Sequence, residues 1–383
     1  MKTIVSVFLY VIICSIQIYA VSAEEINLNA KAAVIMDAES GKILYEKSKD
    51  QKMPNASTTK ILTCLYILKH CDLDQMAEVS KNAAMQPKVR LGVREGEKYK
   101  VKDLLYGLML ESYNDCAVVL AEHAEGSVEK FEKRMNQMAE NLGTLNTHFV
   151  TPNGLDGIDK KGRHETTAQD LAKIMARCIK NQQFLEITQT KQYTFTDGSR
   201  KRRFICNNHN ALLSSMQGVI SGKTGYTSKA GYCYVGAVKQ KNMTMTFSVL
   251  ASGWPPHKTY KWKDVRKLVQ YATDHYERRE IIADTSKIKE ISIKNGLKEK
   301  VLLKTGNLKA AFLVKKTDKI KIESILPSFM DAPVKEGQKV GEIKYLINGK
   351  SQKSVPIYAK QSVKQKDYWY YFEKIIQRFT LIA

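Results

Sequence analysis

The sequence has no Cys-x-x-Cys pair, and its seven histidines are dispersed along the chain. Because a protein zinc site usually needs closely spaced cysteine or histidine ligands, we predict no metal site and no other cofactor. Six of the seven cysteines follow the N-terminal apolar segment, and they lack the dense spacing of a disulfide scaffold: Cys64, Cys71, Cys116, Cys178, Cys206 and Cys233. Several of them stand inside apolar runs, which is typical of buried free thiols.

The sequence also lacks a recognised nucleic-acid-binding motif, although its charge is strongly positive. Lysine and arginine together number 61 against 39 aspartates and glutamates, which gives a formal net charge of +22 at pH 7. A positive surface suits anionic lipids and cell-wall polymers as well as nucleic acids. Since the N-terminus has the features of an export signal, we expect no nucleic-acid partner.

That N-terminal segment, residues 1–23, has the layout of a secretory signal peptide. Met1 and Lys2 precede an apolar stretch over residues 4–20, and Val21-Ser22-Ala23 supplies small residues for cleavage. An uncleaved apolar anchor is the alternative. In both cases the protein is predicted to be exported to the extracytoplasmic face of the cell membrane.

The C-terminal segment, residues 366–383, is too short to cross a bilayer. A helix over residues 367–383 would span only about 25 Å, and the segment also contains charged residues. Its many aromatic and aliphatic residues stand against a polar stripe of Glu373, Gln377 and Thr380. With lysines just before it, at 360, 364 and 366, this pattern predicts a peripheral amphipathic helix on an anionic membrane surface. A helix docked on the protein's own domain is the alternative.

Three short motifs in the chain indicate one catalytic chemistry when they are taken together: Ser57-Thr58-Thr59-Lys60, Ser112-Tyr113-Asn114 and Lys223-Thr224-Gly225. None of them is specific alone, because each pattern recurs elsewhere in the chain, in Ser127 to Lys130, Ser286 to Lys289, Ser80-Lys81-Asn82 and Lys304-Thr305-Gly306. The surrounding sequence must therefore select among the copies.

Ser57 opens an apolar run with the spacing of a helix, so Ser57 and Lys60 lie one turn apart on the same helix face. A serine hydroxyl attacks a carbonyl only if a base removes its proton, and Lys60 can be that base only when it is neutral. Burial beside other cations would lower its pKa enough. The helix N-terminus would also direct N–H groups at a developing oxyanion. The alternative is an ordinary capping serine followed by a solvated lysine.

Ser112-Tyr113-Asn114 is predicted at a break between two helical segments, where a hydroxyl and an amide can point into a cleft. Ser112 could relay a proton, and Asn114 could hold Lys60 or a substrate amide. A plain capping turn is the alternative for this motif.

Lys223-Thr224-Gly225 is predicted on an edge strand that leads into a hairpin. Gly225 leaves room for a substrate backbone, and Lys223 and Thr224 can bind a carboxylate. The second copy, Lys304-Thr305-Gly306, has no partner serine motif and is interpreted as a turn.

These motifs, in this order, resemble those of the low-molecular-mass penicillin-binding proteins that are D-alanyl-D-alanine carboxypeptidases, peptidase family S11. The likeness extends over roughly residues 28–275 and includes residues 33–45, Asn153-Gly154-Leu155 and residues 208–213. The resemblance implies a serine hydrolase that removes the terminal D-alanine from peptidoglycan stem peptides and is acylated by β-lactam antibiotics.

By that resemblance, Ser57 is the nucleophile, Lys60 its general base and Ser112 a proton relay. Asn114, Lys223, Thr224, Gly225 and Tyr226 would bind the substrate, and the backbone N–H groups of Ser57 and Tyr226 would form the oxyanion hole. The family's carboxylate-binding arginine is missing from residues 252–262, so His257, Lys258 or Lys261 would have to replace it. Tyr113 stands where a small residue is expected and would narrow the cleft.

The predicted fold class is α+β. Residues 28–276 mix helical patterns with strands, as in the serine β-lactamase and D,D-peptidase fold, where a helical cluster packs on an antiparallel sheet. Residues 283–360 are short β-prone runs that predict a small all-β domain, which would hold the catalytic domain away from the bilayer.

Three other functions stay open at this stage. A β-lactamase would share the acylation step, although the chain has no E-x-x-L-N motif after Ser57 to supply the class A water-activating glutamate. A D,D-endopeptidase would use the same residues on cross-linked peptides. A non-catalytic penicillin-binding protein of the cell surface would lack the chemistry altogether.

Overall fold

The computed structural model describes residues 26–286 and 288–380, and the predicted signal over residues 1–23 lies outside these ranges. The strands are β1 (Ala32–Asp37), β2 (Ile43–Lys47), β3 (Met76–Glu78), β4 (Lys98–Lys100), β5 (Ile158–Asp159), β6 (Gly162–Arg163), β7 (Gln192–Thr196), β8 (Arg203–Asn207), β9 (Val219–Thr227), β10 (Gly231–Gln240), β11 (Met243–Leu250), β12 (Tyr276–Ile282), β13 (Glu290–Lys294), β14 (Lys300–Thr305), β15 (Lys309–Lys315), β16 (Ile320–Ile325), β17 (Phe329–Asp331), β18 (Lys339–Ile347) and β19 (Lys350–Ala359).

The helices are α1 (Lys60–His70), α2 (Lys81–Ala84), α3 (Val101–Tyr106), α4 (Asn114–Glu125), α5 (Val128–Asn141), α6 (Ala168–Cys178), α7 (Gln182–Gln189), α8 (Leu212–Ser215), α9 (Tyr260–His275) and α10 (Tyr368–Thr380). A 3₁₀ turn, Ala56–Thr59, runs directly into α1, and a π-helical turn, Gly107–Glu111, separates α3 from α4.

A five-stranded antiparallel sheet with the order β2-β1-β11-β10-β9 forms the centre of the first part of the chain. All six residues of β1 are buried, because both faces of the sheet are covered. Alternation along the strand sends Val34 and Met36 into the helical cluster, while Ala33 and Ile35 pack on the opposite side. There α9 covers the sheet with Val265, Leu268 and Ala272.

Helix α1 lies in the middle of the helical cluster, in contact with α4, α5, α6 and α7. Its residues from Lys60 to Ile67 are all buried, so this helix carries a lysine into the protein interior. The preceding turn, Ala56–Thr59, contacts β9 at the edge of the sheet. The first turn of α1 therefore lies where a helical wall meets an open strand edge.

After α9 the chain becomes all-β up to α10. Strand β12 pairs with β15, and six further strands form a sheet in the order β16-β18-β19-β14-β13-β17. Arg278 of β12 forms a 3.2 Å ion pair with the buried Asp37, which ties this part to the first sheet. The architecture is α+β with a small β-rich part near the C-terminus, and the predicted fold class is confirmed.

Helix α10 presents large apolar side chains to solvent. Tyr368, Trp369 and Ile375 are 74%, 67% and 53% exposed. No helix in the described part of the chain has both the length and the apolar character needed to span a membrane.

Candidate active site

Ser57 stands in the turn Ala56–Thr59, and two glycines allow other segments to approach it closely. A Cβ atom at Gly225 of β9 would lie 2.9 Å from the Ser57 backbone nitrogen, and one at Gly154 would lie 2.1 Å from the Ala56 carbonyl oxygen. Neither distance is possible for a real side chain, so only glycine fits at these positions. The serine is thus enclosed by the strand edge and by the loop that contains Gly154.

Lys60 brings the first motif together with the second. Its Nζ lies 2.8 Å from Ser57 Oγ and donates hydrogen bonds to Asn114 Oδ1 at 2.9 Å and to the Asn153 carbonyl oxygen at 2.6 Å. The residue is fully buried. Amine and hydroxyl are therefore at proton-transfer distance, and the amine is held by two fixed acceptors.

The electrostatics of the site favour a neutral amine. Burial lowers the pKa of Lys60 well below its usual value, and the positive charge of Lys223 lowers it further. Burial also lowers the pKa of Lys223, to about 7. Because the two buried positive charges repel each other, the Lys60 amine holds its proton less tightly than an ordinary lysine does.

Ser112 ends the π-helical turn in the left-handed conformation, with φ 67°, and α4 begins two residues later at Asn114. This is the predicted helix break. Within residues 26–286 and 288–380 the Ser112 side chain forms no hydrogen bond, so its role as a proton relay stays a prediction. The Tyr113 ring packs inward against Gly107, where a Cβ atom would lie 3.1 Å from it.

Strand β9 is the edge strand of the central sheet and leads through a short turn into β10, as the sequence predicts. Lys223 points inward and donates a 3.0 Å hydrogen bond to the Thr224 carbonyl oxygen. Tyr226 is 42% exposed at the far end of the strand. An edge strand beside a nucleophile offers unpaired backbone groups to an extended peptide substrate.

No residue pattern in the sequence predicts a role for Asn153. Its carbonyl oxygen accepts from Lys60 Nζ and lies 3.4 Å from Ser57 Oγ, so it contacts both reacting side chains. Every residue type has a backbone carbonyl, so the identity of residue 153 does not reveal this contact. Only the resemblance of Asn153-Gly154-Leu155 to a family segment pointed to this loop.

His164 supports the turn that carries the serine. Its Nδ1 accepts a 2.9 Å hydrogen bond from the Val150 backbone N–H, and its Nε2 lies 2.8 Å from Thr59 Oγ1. Since Nδ1 accepts, Nε2 carries the proton and donates to the threonine. Burial lowers the pKa of His164 to about 3, so the imidazole stays neutral and acts as a structural link.

The three candidates for the missing arginine occupy different environments. His257 and Lys258 are exposed. Lys261 is 6% exposed, and its Nζ donates to the Lys258 carbonyl oxygen and lies 4.7 Å from the centre of the Tyr232 ring. Burial lowers its pKa to about 8. Tyr232 is the cross-strand partner of Tyr226, so Lys261 packs behind the end of β9 and not on an open surface.

Two family models match consecutive parts of this chain. Residues 19–253 match the family model of peptidase S11, described as D-alanyl-D-alanine carboxypeptidase. Residues 276–365 match the model of the penicillin-binding protein 5 C-terminal domain.

Individual relatives agree with these matches. D-alanyl-D-alanine carboxypeptidase DacF of Bacillus subtilis is 28% identical over 364 residues, which cover 93% of this chain and 91% of that protein. D-alanyl-D-alanine carboxypeptidase of Streptomyces sp. strain K15 is 34% identical over 64% of this chain and 87% of its own length. The crystal structure of penicillin-binding protein 5 from Haemophilus influenzae has a TM-score of 0.66 at 28% identity, covering 90% of this chain and 100% of its own.

Proposed function

This chain belongs to peptidase family S11, the serine-type D-alanyl-D-alanine carboxypeptidases, and on that basis we propose that it removes the terminal D-alanine from peptidoglycan stem pentapeptides through an acyl-enzyme on Ser57. Penicillin would acylate the same hydroxyl. The observation that carries the proposal is the 2.8 Å approach of a buried lysine amine to Ser57 Oγ.

In the acylation step, neutral Lys60 takes the hydroxyl proton as Ser57 Oγ attacks the carbonyl carbon of the penultimate D-alanine. The backbone N–H groups of Ser57 and Tyr226 donate to the oxyanion that forms. As the carbon–nitrogen bond breaks, the proton passes through Ser112 to the amine of the leaving D-alanine. Water then attacks the ester, releases the shortened peptide and restores the serine.

Substrate binding in this proposal uses the edge of β9. The peptide backbone would lie along the strand over Gly225, where no side chain intervenes. Its terminal carboxylate would lie against Lys223 and Thr224, and Asn114 would donate its amide to the substrate while keeping Lys60 in place. A buried cation at Lys223 favours a substrate that carries a negative charge at this end.

The direct test is release of D-alanine from a stem pentapeptide by the purified protein, with the Ser57→Ala variant as control. We expect release by the wild-type protein and none above background by the variant. Cleavage of cross-linked dimers in preference to pentapeptides would instead favour a D,D-endopeptidase. Rapid turnover of a chromogenic β-lactam would favour a β-lactamase, and absence of any labelling by fluorescent penicillin would favour a non-catalytic binding protein.

We also propose that the protein is a peripheral protein of the extracytoplasmic bacterial membrane surface, held there by α10. The support is the exposure of the apolar side chains of this helix, among them Trp369 and Ile375. A helix docked on its own domain would bury such residues, whereas the interface of an anionic bilayer favours aromatic rings beside lysines.

Deletion of residues 367–383 is expected to move active protein from the membrane fraction to the soluble fraction. A milder change, Trp369→Ser with Ile375→Ser, should weaken binding to anionic vesicles by about tenfold or more, because two apolar side chains lose their insertion energy. Leu145→Ser is the matched control, since Leu145 is 77% exposed on the catalytic part. Full retention of the truncated protein on membranes would contradict this assignment.

A further inference from the structure

Both acceptors that hold Lys60 are themselves held by one surface segment, residues 85–93, here called the wall segment. Asn114 donates its backbone N–H to the Val89 carbonyl oxygen at 2.8 Å and its amide Nδ2 to the Pro87 carbonyl oxygen at 3.4 Å. Asn153 donates its amide Nδ2 to Gln86 Oε1 at 3.1 Å. The geometry of the lysine therefore depends on where this segment lies.

The far end of the wall segment is fixed by a buried carboxylate. Asp115 is 1% exposed and accepts hydrogen bonds from the backbone N–H groups of Leu91 at 2.9 Å, Gly92 at 2.7 Å and Val93 at 3.3 Å. Its own chain neighbour, Cys116, donates a fourth at 2.9 Å. Asp115 directly follows Asn114 at the start of α4, so the residue that anchors the wall segment is adjacent to a residue that binds the lysine.

The charge of Asp115 also acts on the lysine. In the part of the chain that the structure describes, four titratable groups influence Lys60 or are influenced by it: Lys223 from β9, Asp115 and Cys116 from α4, and His164 from the loop before α6. Asp115 raises the pKa of Lys60, against the larger lowering caused by burial and by Lys223. Asp115 is the carboxylate among these four groups. Its contacts with the wall segment support the position of the Lys60 amine, and its negative charge raises the basicity of that amine.

We propose that Asp115 is a positioning residue for the reaction: it anchors the wall segment, through which Gln86, Pro87 and Val89 hold Asn114 and Asn153 against Lys60. This inference rests on the proposed function of Lys60 as general base. Asp115 does not touch the substrate or the reacting atoms, and it acts through the two acceptors and through its charge.

The test is the pH dependence of penicillin acylation in full-length variants. Asp115→Asn removes the negative charge, so Lys60 loses its proton more easily. The acid limb of the pH–rate profile should therefore shift to lower pH by about half to one pH unit. The maximal rate should fall about tenfold, since the anchoring hydrogen bonds are impaired. In Gln86→Ala the rate should fall several-fold with no shift of the acid limb, because only the support of Asn153 is removed.

Asp170→Asn is the matched control. Asp170 is another buried carboxylate in the first turn of a helix, 3% exposed, and it accepts from the Asn146 backbone N–H at 2.9 Å. We expect this variant to lose thermal stability comparably to Asp115→Asn but to keep the wild-type pH profile. An Asp115→Asn protein with an unshifted acid limb would overturn the assignment and leave Asp115 as a purely structural group. Failure of wild-type protein to be acylated would refute the proposed function itself, and this inference with it.

Discussion

Exposure to penicillin is expected to add the whole mass of the drug to the wild-type protein and nothing to the Ser57→Ala variant. The β-lactam ring opens on attack without losing an atom, so a single acylation gives one discrete mass increment. The Ser57 side chain contacts the Lys60 amine and the Asn153 carbonyl oxygen. Without the hydroxyl, Lys60 Nζ keeps its hydrogen bonds to Asn114 Oδ1 and to the Asn153 carbonyl oxygen. The variant should therefore be folded and inert, and intact-protein mass spectrometry distinguishes the two outcomes directly.

The chain supplies its own control for this experiment. Ser286 and Lys289 repeat the first motif, and with Thr305 of the second Lys-Thr-Gly copy they line one cavity of about 260 Å³ in the β-rich part. There Ser286 Oγ donates to Asp284 at 3.0 Å and has a carboxylate as its partner instead of a lysine. Ser286→Ala should leave the adduct unchanged. If the adduct persists in Ser57→Ala and disappears in Ser286→Ala, the reactive serine is Ser286 and not Ser57.

The sequence predicted well those parts of the site that depend on local geometry. Ser57 and Lys60 are three residues apart where a helix begins, and that spacing alone places a hydroxyl and an amine one turn apart. The edge position of β9 followed from the glycine and hairpin pattern after Lys223. The fold class followed from the change from mixed helical and strand patterns to short β runs near Tyr276.

The remaining parts of the site depend on contacts between distant segments, which a single sequence does not specify. The Lys60–Asn153 contact joins residues 93 apart in the chain, and its acceptor is a backbone carbonyl that any residue type could supply. No pattern in the sequence of the wall segment links it to Asp115, whose carboxylate accepts from its backbone N–H groups. The strand order β2-β1-β11-β10-β9, with the first strand inside the sheet, likewise results from pairing across more than 200 residues.

The second prediction with a large effect is that Lys223→Met abolishes useful turnover while it stabilises the fold. Activity should fall by at least a hundredfold in kcat/KM, because the charge that binds the substrate carboxylate is lost. Stability should rise because burial lowers the pKa of Lys223 from 10.5 to about 7, so the unfolded chain binds a proton that the native state resists. At pH 7 that difference is worth about 4 kcal/mol, and loss of the hydrogen bond to the Thr224 carbonyl oxygen offsets about 1 kcal/mol of it.

The sign of this effect can be checked with pH. The penalty from Lys223 is absent above pH 10.5, grows as the pH falls toward 7, and stays constant below that value, because the native lysine is then protonated too. In denaturant unfolding at pH 7, the free energy of unfolding of Lys223→Met should therefore exceed that of wild type by about 2–3 kcal/mol. This difference should shrink as the pH approaches 10. Lys239→Met, an exposed lysine on β10, should change neither activity nor stability. If Lys223→Met is less stable than wild type at pH 7, a favourable interaction of the Lys223 ammonium outweighs the cost of burying it. The proposed mechanism, in which Lys60 and Lys223 both have lowered pKa values, would then be wrong.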